Sequence, residues 1–460
     1  MFLIIWIIYI FFIGENDKPM PSSIISLTAS IVDKHSLNID EYNYSVDNAY
    51  YNGHYYSGLA PGTSFLAVPI YFLIKILFNV TLSPITQQGI GFVLTIFTTS
   101  FFGALSSMVL LKIGEIFSKN NYRNLLIISV YAFGTSIFIY SSVLLSRAIA
   151  SFILILAYYI ILKIKYGKYN SNLAYLAGFL CGLSVSFDYL TLIFIPCLLV
   201  YLYLSFKDVK IISLFFLGTW LPLILLGIYH YLIFGNLFDV PYNHRIGDEP
   251  MYIHSLGILG FTSPTIERMN VMLLSPNSIF LYMPILILSI LNIFKFIAQK
   301  KFIYENIFIL STFTIYYFLL SLYYAIHWAG YANRFLLPII PFLMIPLFFV
   351  KLNHKNNFFK ASFIILSIIS VYNTIIGAMK FYNVFFINQQ NNYFSFLKKF
   401  FHNEPNSNYL VNIILSQNLF MDIDDNLKTL IKYLIPLALM TGYLIFFIII
   451  YKKSLKKDQY

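Results

Sequence analysis

The chain has 460 residues, of which 59% are hydrophobic and only 11% are charged, and its formal net charge is +11. Water-soluble domains of this size do not have so apolar a composition, so soluble protein classes are excluded. Nucleic acid is excluded as a partner because the basic residues are spread between hydrophobic runs instead of forming one polar face.

Apolar runs long enough to cross a hydrocarbon core of about 30 Å recur along the chain. They predict helices, because lipid-exposed segments must satisfy their own backbone hydrogen bonds and the alternating pattern of barrel strands is absent. The sequence therefore predicts an all-α, polytopic transmembrane helical bundle. Its roughly twelve spans are 1–13, 88–111, 124–142, 148–164, 172–187, 189–206, 211–233, 277–297, 302–323, 335–350, 361–380 and 432–451.

The segments that join these spans on one side are short and rich in lysine and arginine. They are 112–123, 163–168, 207–210, 295–301 and 351–360, and the tail 452–457 is also basic. By the positive-inside rule this side is cytoplasmic. The sequence thus predicts a multi-pass protein of the cell membrane with both termini in the cytoplasm.

Three long segments, 14–87, 235–275 and 381–431, then face outward. The apolar stretch 64–80 is predicted to be a non-spanning helix at the outer interface, because counting it as a span would place the basic segments outside. Residues 22–32 space apolar side chains at helical intervals, which predicts a short amphipathic helix resting on the membrane.

The first outer loop, 14–87, contains a series of acidic residues, which are Glu15, Asp17, Asp33, Asp40, Glu41 and Asp47. A carboxylate held at the membrane surface can accept a proton from an acceptor group, or bind a divalent cation beside a lipid phosphate. The alternative interpretation is that these acids are solvated loop residues.

Polar residues also occur at the outward ends of later helices, and they are Arg147, Asp188, His244, Arg245, His327, Trp328 and Arg334. Ionisable groups at this depth are costly and often mark a functional cavity. Structural alternatives stay open for two of them. Asp188 could pair with Arg147, and Arg334 could either hold a phosphate with its planar fork or fix a helix end at the interface.

Several segments, in order, resemble the membrane glycosyltransferases of the GT-C superfamily, specifically the family 39-like group related to dolichyl-phosphate-mannose-protein mannosyltransferases. The similar stretches are Ser36-Leu-Asn-Ile-Asp40, Asp47-Asn-Ala-Tyr-Tyr-Asn-Gly-His-Tyr-Tyr-Ser57, Ala60-Pro-Gly-Thr-Ser-Phe-Leu-Ala-Val-Pro69, Ala177-Gly-Phe-Leu-Cys-Gly-Leu-Ser-Val-Ser-Phe-Asp-Tyr189, Leu274-Ser-Pro-Asn-Ser-Ile-Phe-Leu-Tyr-Met-Pro284 and His327-Trp-Ala-Gly-Tyr-Ala-Asn-Arg-Phe-Leu-Leu-Pro338. The likeness spans about residues 14 to 345.

The resemblance implies a GT-C-like catalytic module at 1–350, with juxtamembrane helices in the loop 14–87. The C-terminal transmembrane helices at 351–460, with the outer loop 381–431, would follow it. It also implies a polyprenyl-phosphate sugar donor, an outward-facing cavity and an extracytoplasmic acceptor, which could be a protein, a lipid or a glycan. No cofactor is required, although a divalent cation is compatible, and membrane lipids surround the chain.

In the family an acid of the first outer loop is the general base, and the matching region offers Glu15 and Asp17. Asp17 is the first candidate, with Glu15 or Asp47 as alternatives. The residues expected to bind substrate are His54, Tyr55, Tyr56, Arg147, Asp188, Arg245, His327 and Arg334. The arginines would stabilise the phosphate leaving group, and the aromatic residues would shape a sugar or acceptor pocket.

The chain departs from the family at Ser57-Gly58-Leu59, where relatives often have Asp-Lys before Ala-Pro-Gly, so a cation able to contact phosphate is lost. This departure keeps a non-catalytic membrane subunit open as an alternative. A transporter or flippase for a lipid or solute is another. Transporters commonly hold charges at the bilayer midplane and contain repeated halves, whereas here the charges lie at the outer ends.

Overall fold

The computed structural model describes residues 1–14, 16, 18–167, 170–274, 278–328, 330–350, 357–380 and 425–457. The chain is mostly helical in this part. The first helices are α1 Phe2–Phe11, α2 Pro19–Lys34, α3 Gly62–Phe78, α4 Gln87–Phe117, α5 Asn121–Gly134, α6 Ile137–Ser141, α7 Ser146–Gly167, α8 Leu173–Val185, α9 Tyr189–Phe206 and α10 Val209–Phe234. The later ones are α11 Asp248–Ser255, α12 Ile266–Leu273, α13 Ile279–Tyr282, α14 Ile285–Ala298, α15 Ile303–Leu322, α16 Arg334–Phe349, α17 Asn357–Lys380 and α18 Asp425–Lys457.

Among the described residues, seven helices are long and apolar enough to cross a membrane, by length and composition. They belong to α4, α7, α9, α10, α15, α17 and α18. The predicted class, a helical membrane protein, is therefore confirmed. One element was not predicted, a small antiparallel hairpin of strands β1 Asn48–Tyr51 and β2 His54–Ser57 in the first outer loop.

The helix α2 confirms the predicted helix at 22–32, but it does not rest on the surface of the molecule. Every residue from 21 to 30 is buried, including its serines and Thr28. These polar groups find partners inside the protein, as when the Ser26 hydroxyl donates a hydrogen bond of 2.6 Å to the carbonyl of Tyr42. The predicted position of this helix, resting on the membrane, is wrong because other parts of the protein enclose it.

Asp33, near the end of α2, holds α2 and α3 together. Its carboxylate accepts hydrogen bonds from Lys75 (2.6 Å), Tyr71 (2.8 Å) and Tyr42 (3.0 Å). The side chain of Asp33 is only 5% exposed, so this acid is a structural partner and not a solvated loop residue. The helix α3, with 17 residues, is shorter than the roughly 20 residues of a typical span.

Helices α8 and α10 pack with their backbones in direct contact. A Cβ atom at Gly178 would lie 1.9 Å from the carbonyl oxygen of Phe215, and one at Gly218 would lie 2.1 Å from that of Tyr175. Small residues four positions apart, such as Gly178 and Gly182, permit this close approach between membrane helices. The contact fixes the end of α8, just before Asp188.

The helix α16 is irregular and is buried along its whole length. It alternates between 3-10 and α geometry. Its three prolines, Pro338, Pro341 and Pro346, cannot donate the backbone hydrogen bonds of a regular helix. This explains why the predicted span at 335–350 does not form one continuous α-helix. Arg334 is the first residue of α16 and is therefore held against the core.

A buried ion pair joins α7 to α15 at the opposite end of the bundle from Arg147. Nζ of Lys165 is 2.5 Å from Oε1 of Glu305, and their side chains are 16% and 1% exposed. The same carboxylate oxygen accepts hydrogen bonds from the hydroxyls of Tyr166 (2.8 Å) and Tyr201 (2.9 Å). Glu305 thus connects α7, α9 and α15.

The C-terminal helices pack on α5 and on α13. The Asn373 amide in α17 donates to the carbonyl of Leu281 (2.9 Å), and the Asn120 amide donates to the carbonyl of Ser454 in α18 (3.0 Å). The predicted division of the chain at residue 350 is not tested by these contacts and stays a prediction. Residues 381–424 of the predicted outer loop 381–431 lie outside the described residues.

Candidate functional site

A small polar cavity lies where the ends of α7, α8, α15 and α16 meet the first and second outer loops. Its volume is about 80 Å³. The polar and charged side chains that line it are Asp47, Ser146, Arg147, Asp188, Tyr242, Arg245, His254, Tyr323 and Arg334. All five of the charged residues are candidates from the sequence, and the fold brings them together from five separate segments.

Arg147 and Asp188 form a buried ion pair on one side of the cavity. Nε of Arg147 is 2.9 Å from Oδ2 of Asp188, and the side chains are 15% and 5% exposed. Oδ1 of Asp188 accepts a hydrogen bond from the amide of Leu190 (3.2 Å), so this residue also caps the first turn of α9. Both oxygens have partners. The structure therefore has the predicted alternative in which Asp188 pairs with Arg147. Asp188 positions the Arg147 side chain.

A second ion pair, between Asp47 and Arg245, joins the two outer loops. Nη1 of Arg245 contacts Oδ1 of Asp47. The backbone supports this contact, because Arg245 forms an antiparallel bridge with Ala49 and the amide of Ile246 donates to the carbonyl of Asn48 (3.2 Å). Oδ2 of Asp47 is buried and has no hydrogen-bond partner within the described ranges. That oxygen can accept a proton from a bound group.

Two glycines let the first outer loop approach the cavity. A Cβ atom at Gly58 would lie 2.6 Å from Nη1 of Arg245. The amide of Gly62 donates a hydrogen bond of 2.7 Å to the carbonyl of Ser186, and a Cβ atom at Gly62 would lie 2.6 Å from that oxygen. Residue 58 therefore has no room for a side chain, since the Arg245 guanidinium occupies the space beside it.

Arg334 is the third arginine of the cavity and is 3% exposed. Its guanidinium carbon is 5.5 Å from the ring centroid of Phe335, and the guanidinium carbon of Arg147 is 4.3 Å from the same centroid. Three arginines and two aspartates line the cavity, so its described wall carries one positive charge in excess. A buried wall with this charge favours an anion over a neutral or cationic ligand.

His254, Tyr242 and Tyr323 also line the cavity, and the sequence alone does not single them out. The His254 ring stacks on Tyr242 with a centroid distance of 4.8 Å and an interplanar angle of 6°. The Tyr242 centroid is 5.2 Å from the guanidinium carbon of Arg245. The one available signal was that His254 and Tyr242 share the polar outer loop 235–275 with Arg245.

Burial, followed by the charge of Arg245, lowers the pKa of His254 to about 4. The unfolded chain titrates this group near 6.5, so between these values the unfolded state binds a proton that the folded state does not. We expect the free energy of unfolding to be largest above pH 6.5 and to fall by at most about 3 kcal/mol as the pH drops to 4. Thermal midpoints across this range for the wild type and His254→Gln check this, because the variant should show a shallower slope.

Ser255, an exposed and non-titratable residue of the same helix α11, provides the control for this measurement. Ser255→Ala should keep the wild-type slope between pH 6.5 and 4. Equal slopes for the wild type and His254→Gln would contradict the expected effect of burying the His254 imidazole.

An apolar groove adjoins the polar cavity and has a volume of about 610 Å³. Its wall is formed largely by apolar side chains of α9 and α10, both of which are long enough to span a membrane. Trp220 of α10 belongs to this wall and is 48% exposed. Four residues, Arg147, Tyr242, Tyr323 and Phe335, line both the groove and the cavity. The polar cavity and the apolar groove are therefore neighbours, with these four side chains on their common border.

The hairpin residues assigned to a sugar pocket lie away from this cavity. His54 is at the exposed turn, with Nδ1 2.7 Å from Oδ2 of Asp40. The amide of Tyr55 also donates to Asp40 (2.7 Å), and the Tyr56 ring packs edge-on against Phe234. The strand pairing directs these side chains to the hairpin's own neighbours, so a role for them in substrate binding stays a prediction.

Glu15 and Asp17 lie outside the described residues, and so does the side chain of His327. Asn16, between the two acids, is buried, and its Oδ1 accepts the amide of Leu144 (3.4 Å), two residues before Ser146 of the cavity wall. Within the described ranges no three His, Cys, Asp or Glu side chains converge to hold a metal ion. The compatible divalent cation stays a prediction.

No family model matches the sequence, and no curated protein is significantly similar to it. The chemical interpretation of the cavity therefore depends on its own residues and on the groove beside it.

Proposed function

We propose that the chain is a multi-pass membrane glycosyltransferase of the GT-C superfamily, family 39-like. It transfers a sugar from a polyprenyl-phosphate donor to an extracytoplasmic acceptor. The observation that carries this proposal is that an arginine-rich cavity adjoins an apolar groove and shares four lining residues with it. A polyprenyl-phosphate sugar has the same two parts, an anionic head and a hydrocarbon chain, joined at the phosphate.

The junction suits the donor in both chemistry and position. Arg147 lines both spaces and is held by Asp188, so it is placed to bind the phosphate where the head meets the chain. The apolar walls of α9 and α10 suit the prenyl chain, which gains free energy when it leaves water. The cavity, at about 80 Å³, is smaller than the roughly 300–1,000 Å³ of common ligand pockets. Entry of a sugar therefore requires the cavity to widen.

The proposed reaction is a single displacement with inversion at the anomeric carbon. The acceptor hydroxyl oxygen bonds to that carbon as the bond from the carbon to the phosphate oxygen breaks. The hydroxyl proton passes to a carboxylate, and polyprenyl phosphate leaves with its negative charge held by the arginines. Among the described acids, Asp47 suits the role of base best, because its Oδ2 is buried at the cavity without a hydrogen-bond partner there. Asp17 and Glu15 remain alternative bases.

The missing lysine at 57–59 does not argue against catalysis. The guanidinium of Arg245 lies beside Gly58 and supplies a positive charge at that place from the second outer loop. This arrangement supports a diverged enzyme over a non-catalytic subunit.

The proposal includes the predicted topology of about twelve spans, with the cavity facing outward. Twelve follow if the short apolar helices α1, α8, α14 and α16 and the broken pair α5 and α6 cross the membrane with the seven long helices, while α3 does not. Both termini are then cytoplasmic, on the side of the basic segments.

Replacing Arg334 tests the proposal. We expect Arg334→Ala to lower the transfer rate by about 10²–10³-fold, because one charged donor to the leaving group is removed. Arg334→Lys should recover only part of this, since an ammonium group lacks the planar fork of a guanidinium. The measurement is transfer of radiolabelled sugar from purified polyprenyl-phosphate donors to membrane acceptors, with folding checked by gel filtration and thermal midpoint.

The labelled donor also separates the alternative functions, when sugar transfer and movement of the donor across a bilayer are both measured. If folded wild-type protein consumes no donor in a broad panel, the enzyme proposal fails. If labelled donor crosses the bilayer of reconstituted vesicles without forming product, the chain is a flippase. If neither occurs, it is a non-catalytic membrane subunit.

A further inference from the structure

A second apolar groove lies on a different part of the bundle, between α1, α5, α17 and α18. Its volume is about 510 Å³, and it shares no lining residue with the polar cavity or its adjoining groove. Its wall is apolar except for the hydroxyls of Ser129 and Tyr443 and the start of the chain at Met1. Only 17% of the apolar stretch of α18 is buried, so most of this stretch is exposed in the part of the chain that the structure describes.

Lysines gather at the end of α18 next to this groove. Lys452, Lys453 and Lys456 are exposed there. The same end is attached to the start of α5, because Nζ of Lys453 is 5.7 Å from the ring centroid of Tyr122, one helical turn before the groove residue Leu125. Two helical turns, about 10 Å, separate Lys453 from Phe446 of the groove wall. A lipid phosphate at the lysines could thus extend a chain into the groove.

We propose that this groove and its lysines bind one anionic phospholipid, with an acyl chain against α1, α5 and α18 and the phosphate at Lys453 and Lys456. The apolar wall and the adjacent positive charge match the two parts of this lipid. Basic residues directly beyond a membrane helix attract anionic head groups in this way. A second copy of the chain matches less well, because the lysines of two copies would repel each other.

Gly442 offers a way to fill the groove without disturbing the fold. It lines the groove, and a Cβ atom at this position would meet no atom of the described residues within 4 Å. Gly442→Leu therefore narrows the groove and leaves the lysines in place.

Native mass spectrometry of the purified full-length chain in detergent tests the proposal. Phosphatidylglycerol and phosphatidylcholine with identical acyl chains are titrated separately. We expect one phosphatidylglycerol to bind about 25-fold more tightly than phosphatidylcholine, because two lysines contribute to binding its charged head group. The variant Lys453→Gln with Lys456→Gln should weaken phosphatidylglycerol binding by about 25-fold, since each lysine near a membrane surface contributes roughly fivefold. It should leave phosphatidylcholine unchanged, whereas Gly442→Leu should weaken both lipids.

The control is Lys207→Gln with Lys210→Gln, which removes two exposed lysines outside this groove. Equal affinity for the two lipids would overturn the proposal. It would also be overturned if the control variant lost as much phosphatidylglycerol affinity as the Lys453→Gln, Lys456→Gln variant, because the lipid would then respond to diffuse surface charge. A dimer mass that Gly442→Leu abolishes would show that a second copy occupies the groove instead. None of these results bears on glycosyl transfer, because the experiment measures lipid binding alone.

Discussion

Replacing Asp47 by asparagine is expected to lower the rate of glycosyl transfer by about 10²–10⁴-fold, the usual contribution of a positioned general base. Asparagine has nearly the same shape but cannot take the acceptor proton. It can still accept a hydrogen bond from Arg245, so the two outer loops should stay joined. The measurement is the single-turnover rate with saturating donor, which reports the chemical step separately from donor binding.

The matched control is Glu41→Gln, an exposed acid of the same loop that pairs with Lys34 and does not line the cavity. This variant should transfer sugar at the wild-type rate. If Asp47→Asn keeps full activity while Asp17→Asn loses it, the base is Asp17 and the assignment from the cavity geometry is wrong. If both keep it, neither acid is the base.

The largest effect on stability is expected from Glu305. Replacing it by alanine leaves Lys165 buried without its partner and removes the acceptor of the Tyr166 and Tyr201 hydroxyls. We expect the free energy of unfolding to fall by about 3–5 kcal/mol, which is typical when one member of a buried pair is removed. The loss is measured by thermal or denaturant unfolding of the purified chain in a fixed detergent.

Two further variants decide whether the buried charge is the cause. Removing both partners, as Lys165→Met with Glu305→Leu, should restore most of the stability, because no unpaired charge remains. Glu115→Ala breaks an exposed pair with Lys112 and should cost less than about 1 kcal/mol. Equal losses in the single and double variants would show that packing around Glu305 matters more than its charge.

The length of an apolar run predicts where a helix lies. It does not predict whether that helix is regular. Runs such as 211–233 and 302–323 correspond to the long helices α10 and α15, because an uninterrupted apolar run has few other ways to satisfy its backbone. The run 335–350 is equally apolar, but its three prolines make it irregular, and its complete burial depends on neighbours that no local pattern reveals.

The charged half of the candidate site could be predicted, and the aromatic half could not. Arg147, Asp188 and Arg334 stand out because ionisable residues are rare beside apolar runs. His254 and Tyr242 come from a loop where polar residues are ordinary, and only the folded contacts bring them to the cavity. A role in substrate binding stays a prediction for the hairpin tyrosines, because resemblance to a family segment does not indicate which way the strands face.

Arginine is rare in this chain, and most of its arginines lie in the polar cavity. The chain contains five arginines among its 30 basic residues. Lysine fills the other positions, including all those in the basic segments between spans except Arg123. Three of the five line one cavity of about 80 Å³. Where only charge matters this sequence uses lysine, so its arginines indicate places where a flat, forked cation is needed. The other two, Arg123 and Arg268, follow the same usage, since each guanidinium donates to both a hydroxyl and a carbonyl oxygen of its neighbours.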